Sequence, residues 1–288
     1  RGVMPAWAFE DDIGANGGWK RILDKTDLER IGSLEKRNEN RKGFSIDKSI
    51  ILGELSALVY ESREEIERVL KHRWKVKDYK IVGEGKDLAS DLRAIVIRDE
   101  HEVVISVRGT DNLENWYKRN ADARVDQKKV AIRIDERGKA VERPIEVHRG
   151  FWGSATELWE MEGGIKSLLD LNDLVIREEL KEKREEKTTR DEEGIEGVKG
   201  AAGAAGLKDI YITGHSLGGA TAMAIYAKIV DKINRDVSEL MRNDPETGLI
   251  IRRELENSKV LPSLYTYGQP KLLYGDDSLR LWEEELKA

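Results

Sequence analysis

The sequence predicts an α/β fold in which a mixed, mostly parallel sheet is flanked by helices, and three observations support this. Strand-like apolar runs alternate with amphipathic helical segments from about residue 79 onward, as is typical of a sheet covered by helices. A short β-prone run at 210–212 leads through a glycine-rich turn into an apolar helical run. The 288 residues, 39% of them hydrophobic, suffice for one large domain with a substantial core.

Composition narrows the classes of protein that remain. Lys and Arg number 50 against 56 Asp and Glu, for a net charge of −6, which argues against a nucleic-acid partner. No run approaches the length of a transmembrane helix, and no signal peptide is recognised. The absence of cysteine excludes a disulfide framework and is compatible with a reducing compartment such as the cytoplasm. The compartment itself is not identified by the sequence.

The first elements are helical. Residues 1–45 are interpreted as an N-terminal lead-in, and residues 46–288 as the domain proper. Apolar residues recur at helical spacing from Ile46 to Trp74. Within that range, Ser62 followed by Glu65 matches the capping-box pattern, which predicts that a second helix opens there.

Strands begin near residue 79. Candidates lie at 79–82, 93–98 and 102–108, and a turn at 99–101 separates the last two as in a hairpin. Two shorter strands are predicted at 130–134 and 144–147, around a turn at 136–138. Residues 148–152 are then expected to precede an amphipathic helix, in which Leu158, Ile165, Leu168 and Leu169 recur at helical spacing.

Residues 178–208 differ from their surroundings in composition. Charged residues crowd the first half and Gly and Ala the second, so we expect a mobile surface insertion. A partner-binding tail is the alternative. A charged helix is predicted beyond residue 231, interrupted near Pro245, and a strand at 264–267 and a helix at 277–286 complete the chain.

The pattern Gly214-x-Ser216-x-Gly218 lies between the strand at 210–212 and the apolar helix. A strand that turns sharply into a helix needs flanking residues with almost no side chain. Ser216 would then present its hydroxyl over the helix N-terminus, where backbone N–H groups stabilise negative charge. The N–H of Leu217 is the natural first donor. The simpler alternative, a glycine-rich helix start with a capping serine, does not require the strand–turn–helix context found here.

Five segments together resemble the class 3 lipase family, also called the fungal lipase-like α/β-hydrolases. No single segment is specific, but five in the family's order are, and the resemblance covers about residues 50 to 285. The segments read VISVRGTD at 104–111, NW at 115–116, VHRGF at 147–151, ITGHSLGGA at 212–220 and TYGQPK at 266–271.

The resemblance implies hydrolysis of carboxylic esters, of acylglycerols or related lipids, through a Ser-Asp-His triad. It implies Ser216 as nucleophile, Thr110 and Leu217 as oxyanion-hole residues, and residues 111–122 as a lid. Gly214, His215 and Gly218 form the elbow around the nucleophile. The expected partner is a lipid or small ester, with peripheral contact to lipid surfaces. No metal cluster is evident and no cofactor is implied.

The sequence also departs from the family. Arg119 stands where members commonly carry an aspartate, and the lid is largely polar, which weakens the expectation of binding at oil–water interfaces. Chain order in this fold is Ser, then acid, then His, yet none of the four histidines follows Ser216. For His148 a packing role is expected. The triad Asp and His are therefore expected beyond Ala288, and the chain is expected to be a fragment without its own base.

Two alternatives to an esterase remain open on the sequence. One is a lipase-like binding or scaffold protein that has lost hydrolysis. The other keeps the fold but transfers acyl groups to an alcohol or lipid acceptor. The serine, Thr110 and the elbow glycines favour an enzyme, because a scaffold has no need of a nucleophile elbow.

Overall fold

The computed structural model describes residues 46–83, 92–99, 101–109, 124–174, 208–257 and 262–284. The lead-in 1–45, Thr110, the lid segment and all but the last residue of the 178–208 insertion lie outside these ranges. In chain order the elements are α1 Ile46–Leu58, α2 Arg63–Arg68, β1 Asp78–Val82, β2 Ala94–Arg98, β3 Glu102–Val107, β4 Val125–Ile134, β5 Ala140–His148, α3 Arg149–Glu160, α4 Leu171–Leu174, β6 Asp209–His215, α5 Leu217–Asn243, α6 Pro245–Asn257, β7 Ser263–Tyr267, β8 Leu273–Tyr274 and α7 Asp276–Glu284.

The predicted helix break at Ser62 is confirmed. The Ser62 side chain accepts a hydrogen bond from the N–H of Glu65 at 3.2 Å, and α2 starts at the next residue. The reciprocal half of the capping box is replaced, because the Glu65 carboxylate binds the Arg68 guanidinium at 2.6 Å instead. A π-helical turn, Val69–Arg73, extends α2.

The main sheet has the strand order β1-β2-β3-β6-β7. The β1–β2 and β2–β3 pairs are antiparallel, whereas β3–β6 and β6–β7 are parallel, so the sheet is mixed as predicted. Its two faces bury different partners, since Ile95 packs with α1 and α2 while the neighbouring Ala94 and Val96 join the cluster around α5. This alternation is what a sheet covered on both faces requires.

A second, antiparallel sheet of order β4-β5-β8 was not predicted. Its two main strands span ten and nine residues, far longer than the expected 130–134 and 144–147. Residues 125–129 alternate between exposed and half-buried positions, which gave no apolar signal in the sequence. The turn between the strands is as expected, with Gly138 at φ +78°.

The amphipathic helix predicted to reach Leu169 is shorter, and that part of the prediction was wrong. Helix α3 begins at Arg149, within the segment expected to precede it, and ends at Glu160; a separate 3₁₀ turn follows at Ile165–Leu168. Gly163 has φ +63°, and a Cβ at Gly164 would come within 2.7 Å of the Leu158 carbonyl oxygen. The Gly-Gly pair therefore reverses the chain, while the apolar residues beyond it still return to the core.

Helix α5 occupies the centre of the molecule. It contacts β3, β6 and β7 of the main sheet and β4 of the second sheet, and its first eleven residues are all buried. The predicted interruption near Pro245 is confirmed, because α5 ends at Asn243 and α6 begins at Pro245. Burial on all sides explains the Ala-rich composition, since small residues let sheet and helix approach closely.

Two polar side chains of α5 form hydrogen bonds with the backbone of β4 at a β-bulge. The buried Asn234 amide, 6% exposed, donates to the carbonyl of Ala131 at 3.0 Å, and the Asp231 carboxylate accepts from the Ala131 N–H at 2.7 Å. The strand register shifts between Ala131 and Arg133. The side chains of Asp231 and Asn234 therefore bind the N–H and carbonyl of Ala131 at the point where the regular β4–β5 pairing is interrupted.

We expect Asn234→Ala to lower the free energy of unfolding by about 1–3 kcal/mol, because it leaves the Ala131 carbonyl buried without this donor. Urea denaturation measures this. The matched control is Asp236→Ala on the same helix, which removes a partly buried ion pair with Lys232 but leaves the contacts to β4 in place, and it should change stability by less than about 1 kcal/mol. Equal effects of the two substitutions would contradict the role assigned to Asn234.

Candidate active site

Ser216 lies at the turn between β6 and α5, where the elbow pattern placed it. Its backbone has φ 55° and ψ −128°, and it is one of two non-glycine residues with positive φ in the described ranges. Such a conformation costs on the order of 1–3 kcal/mol and persists only where the surroundings enforce it. The Ser216 N–H donates to the Tyr267 carbonyl at 2.8 Å, so β7 helps to hold the turn.

The Ser216 side chain does not act as a helix cap. It makes no capping hydrogen bond to α5, so the alternative of an ordinary capping serine loses its support. The side chain is half-buried. A strained serine whose hydroxyl does not cap the helix that follows is the arrangement expected of a nucleophile.

The two glycines of the pattern are required by close approach of backbone segments. A Cβ at Gly214 would come within 2.5 Å of the Gly218 carbonyl oxygen. A Cβ at Gly218 would overlap the Val107 carbonyl oxygen and lie 2.6 Å from the Gly109 nitrogen. Strand β6, helix α5 and the end of β3 can therefore meet only where these side chains are absent.

The end of β3 lies beside the elbow. Val107 pairs with Gly214 in the parallel register, and Gly109 lies so close to His215 that a Cβ on it would come within 2.7 Å of the His215 carbonyl oxygen. Leu217 is buried and begins the 27-residue helix α5, which places its N–H at the positive end of the helix dipole. Thr110, the predicted second oxyanion residue, lies just outside the described residues.

Tyr60 is a residue of the site that sequence analysis did not find. Its hydroxyl lies 3.3 Å from the His215 Nδ1 and donates to the His215 carbonyl at 3.3 Å. The same hydroxyl lies against Gly109, where a Cβ would overlap it. Tyr60 follows α1 and is 155 residues from His215 in the chain, so no local pattern could have linked them. The Tyr60 hydroxyl thus contacts both the elbow, at His215, and the end of β3, at Gly109.

Burial lowers the pKa of His215, which favours the neutral form of its ring. The other histidines lie elsewhere. His148 is buried and stacks on Phe151 with ring centroids 4.1 Å apart, in line with the expected packing role, while His72 and His101 are exposed. Within the described ranges, no histidine is hydrogen-bonded to the Ser216 hydroxyl.

The segment after β7 borders the start of α5. A Cβ at Gly219 would come within 2.8 Å of the Gln269 Cβ and 3.3 Å of the Thr266 Cβ. The Tyr267 hydroxyl donates to the Ser49 carbonyl, which ties this strand to α1. Three of the segments that carried the resemblance, at 104–109, 212–220 and 266–269, therefore converge around Ser216.

The described residues contain no group of three or more His, Asp or Glu residues placed to hold a metal ion. Their helices include none that is both long and apolar enough to cross a bilayer.

One protein family and several solved lipase structures are similar to this chain. The Lipase (class 3) family model matches residues 104–287, more than half of the chain. Among solved structures, Rhizomucor miehei triacylglyceride lipase matches at 20% identity over 83% of this chain and 67% of its own, with a TM-score of 0.38. The Rhizomucor miehei lipase propeptide complex matches at 21% identity over 79% of this chain and 54% of its own, with a TM-score of 0.36.

The lipase of Rhizopus microsporus var. chinensis matches at 16% identity over 84% of this chain and 64% of its own, with a TM-score of 0.36. The chain thus spans about half to two thirds of these structures. No curated protein sequence matches it. With the family model covering most of the domain and the elbow at its centre, the chain belongs to the class 3 lipase family, a family of lipase-like carboxylic ester hydrolases with the α/β-hydrolase fold.

Proposed function

We propose that this protein hydrolyses carboxylic esters of the acylglycerol type, in lipid metabolism, with Ser216 as the nucleophile. The observation that carries the proposal is the backbone of Ser216, held at φ 55° and ψ −128° between β6 and α5 with its hydroxyl unused as a cap. Ester hydrolysis by a serine enzyme needs a hydroxyl presented in this way beside backbone N–H donors.

In the proposed reaction the Ser216 oxygen attacks the ester carbonyl carbon while a general base accepts the hydroxyl proton. The tetrahedral intermediate collapses, the bond to the alcohol oxygen breaks, and the alcohol leaves with the proton returned by the base. Water then attacks the acyl-enzyme, releasing the carboxylic acid and restoring Ser216. The base is a separate group, because an unassisted serine hydroxyl is a poor nucleophile at neutral pH.

The oxyanion is proposed to be stabilised by the N–H of Leu217 and by Thr110. Leu217 opens α5, so its N–H and the helix dipole both favour negative charge above the turn. Thr110 directly follows Gly109, which lies against the elbow. Loss of one such donor typically costs about 10²–10³ in kcat.

The test is covalent labelling of the protein with a fluorophosphonate, followed by peptide mapping of the adduct. We expect the adduct at Ser216 and, with acylglycerols of increasing chain length, release of free acid. Product analysis with and without an alcohol acceptor separates hydrolysis from acyl transfer. An adduct at a different serine, or acyl transfer without release of acid, would contradict the proposal.

Tyr60→Phe tests the bracing role of the Tyr60 hydroxyl. Losing its hydrogen bonds to His215 should lower kcat about three- to tenfold, with KM little changed, since one hydrogen bond contributes about 0.5–1.5 kcal/mol. The comparison is Tyr79→Phe, the same change in β1 far from the elbow. If both variants keep full kcat on a p-nitrophenyl ester, Tyr60 does not position the site.

A further inference from the structure

A cleft of about 760 Å³ opens on the surface between α3, the beginning of β4 and α5. Its walls include Trp152 and Met161 from the α3 side, and Lys228 from α5. Lys228 is twelve residues beyond Ser216 on the same helix, which places the two about 18 Å apart along its axis. The cleft is therefore separate from the elbow.

The charges on the β4 side of this cleft are paired. The Asp126 carboxylate accepts from the Arg149 Nη2 at 2.6 Å and lies 3.1 Å from the Lys128 ammonium. Hydrogen bonds from Arg149 and then Lys128 hold the pKa of Asp126 below its usual value. On the other wall Glu160 pairs with Lys166 at 3.1 Å.

Lys228 is the exception. Its ammonium lies 4.7 Å from the centroid of the Trp152 ring, and within the described ranges it makes no hydrogen bond or ion pair. Two other cations of α5 do find partners: Lys232 binds Asp236 at 2.5 Å and Arg235 binds Asp231 at 2.9 Å. Apart from this cation–π contact, the half-buried amine of Lys228 therefore uses none of its hydrogen-bond donors within the described ranges.

Burial lowers the pKa of Lys228 to about 8; the nearby Glu160 and Asp231 oppose this shift, and Lys128 and Lys166 add to it. The folded protein therefore holds this proton less tightly than the unfolded chain does. Protonation of Lys228 lowers the stability of the folded state as pH falls below the ordinary lysine pKa of 10.5, and this effect is complete below about pH 8.

We propose that the cleft binds a free carboxylic acid with an apolar tail. Its carboxylate accepts a hydrogen bond from the Lys228 ammonium, and its tail lies along Trp152 and Met161. Lys228 makes no ion pair within the described ranges, and its single charge matches that of one carboxylate. The Trp152 ring and the Met161 thioether form an apolar surface, which would contact an apolar tail but not a small hydrophilic anion. Such an acid belongs to the class that ester hydrolysis releases, but its binding here does not depend on the reaction.

The probe is undecanoate carrying bromine at its terminal carbon, which quenches the fluorescence of a tryptophan it contacts. We expect saturable quenching that is lost in Trp152→Phe, which assigns the signal to this cleft. Lys228→Met should weaken binding tenfold or more, since a hydrogen bond to a charged group contributes enough for a change of that size. Lys228→Arg should retain most of the affinity. The matched control is Lys232→Met, one turn further along α5, which removes a cation paired with Asp236 outside the cleft lining and should bind like the wild type.

Two further measurements sharpen the test. The corresponding bromo-alcohol, which lacks the carboxylate, should bind the wild type no better than it binds Lys228→Met. Affinity for the acid should fall as pH rises from about 7 to about 10, because the Lys228 amine loses its proton above its pKa of about 8, and this decline should be absent in Lys228→Met.

Quenching that persists in Trp152→Phe, or equal affinity of the wild type and Lys228→Met, would overturn the proposal. Because the measurement involves binding without an ester, failure here leaves the assignment of Ser216 untouched. Equally, an inactive protein that still shows Lys228-dependent quenching would contradict only the proposed hydrolysis.

Discussion

With the general base of the proposed reaction present, Ser216→Ala is expected to lower kcat for ester hydrolysis by about 10⁴-fold or more, the largest effect on activity among the substitutions proposed for this protein. The reason is that the acyl-enzyme cannot form without the hydroxyl, while the oxyanion donors and the binding site retain only residual catalysis over water. The backbone at this position needs no side chain of its own, since the Ser216 N–H and carbonyl make the turn contacts to Tyr267 and Gly219. The variant should therefore fold.

The measurement is turnover of a short-chain p-nitrophenyl ester, with the urea midpoint confirming the fold. Ser167→Ala is the matched control, because its hydroxyl donates to the Gly164 carbonyl in a 3₁₀ turn and has no part in the site. Activity in Ser216→Ala equal to that of Ser167→Ala would show that the nucleophile is a different residue or that the elbow is no longer used for hydrolysis.

Gly218→Ala is expected to have the largest effect on folding, about 3 kcal/mol or more. The added methyl would overlap the Val107 carbonyl oxygen and press on the Gly109 backbone, and backbone atoms of a central strand cannot move aside as a flexible side chain can. The overlap could be relieved only if α5 moved away from the end of β3. Such a movement would also displace the proposed oxyanion donors and reduce kcat.

Gly153→Ala provides the comparison for this substitution. Gly153 lies in helix α3, and a Cβ there would meet nothing within 4 Å. Alanine should stabilise the helix by roughly 0.5–1 kcal/mol relative to glycine. Urea denaturation of the two variants should thus shift the midpoint in opposite directions. A Gly218→Ala protein as stable as the wild type would show that the elbow is looser than the described geometry.

The local parts of this protein follow from the sequence. The elbow, the helix start at Ser62, the break before Pro245 and most strands of the main sheet are where the sequence predicts them. Each depends on neighbours in the chain: a cap three residues away, a proline that cannot continue a helix, or glycines flanking a turn. Each of these signals lies within a few residues of the feature that it specifies, so it can be recognised from the sequence alone. The roles of Thr110 and of the 178–208 insertion stay predictions.

The remaining features were decided by tertiary contacts. Residues 125–129 became a strand because β5 pairs with them, although their own pattern is polar. Tyr60 entered the site across 155 residues, and Lys228 came to face Trp152 through helix packing. The sequence can specify a turn through local geometry, but the partner of a side chain is set by how the elements pack, which is encoded only in the chain as a whole.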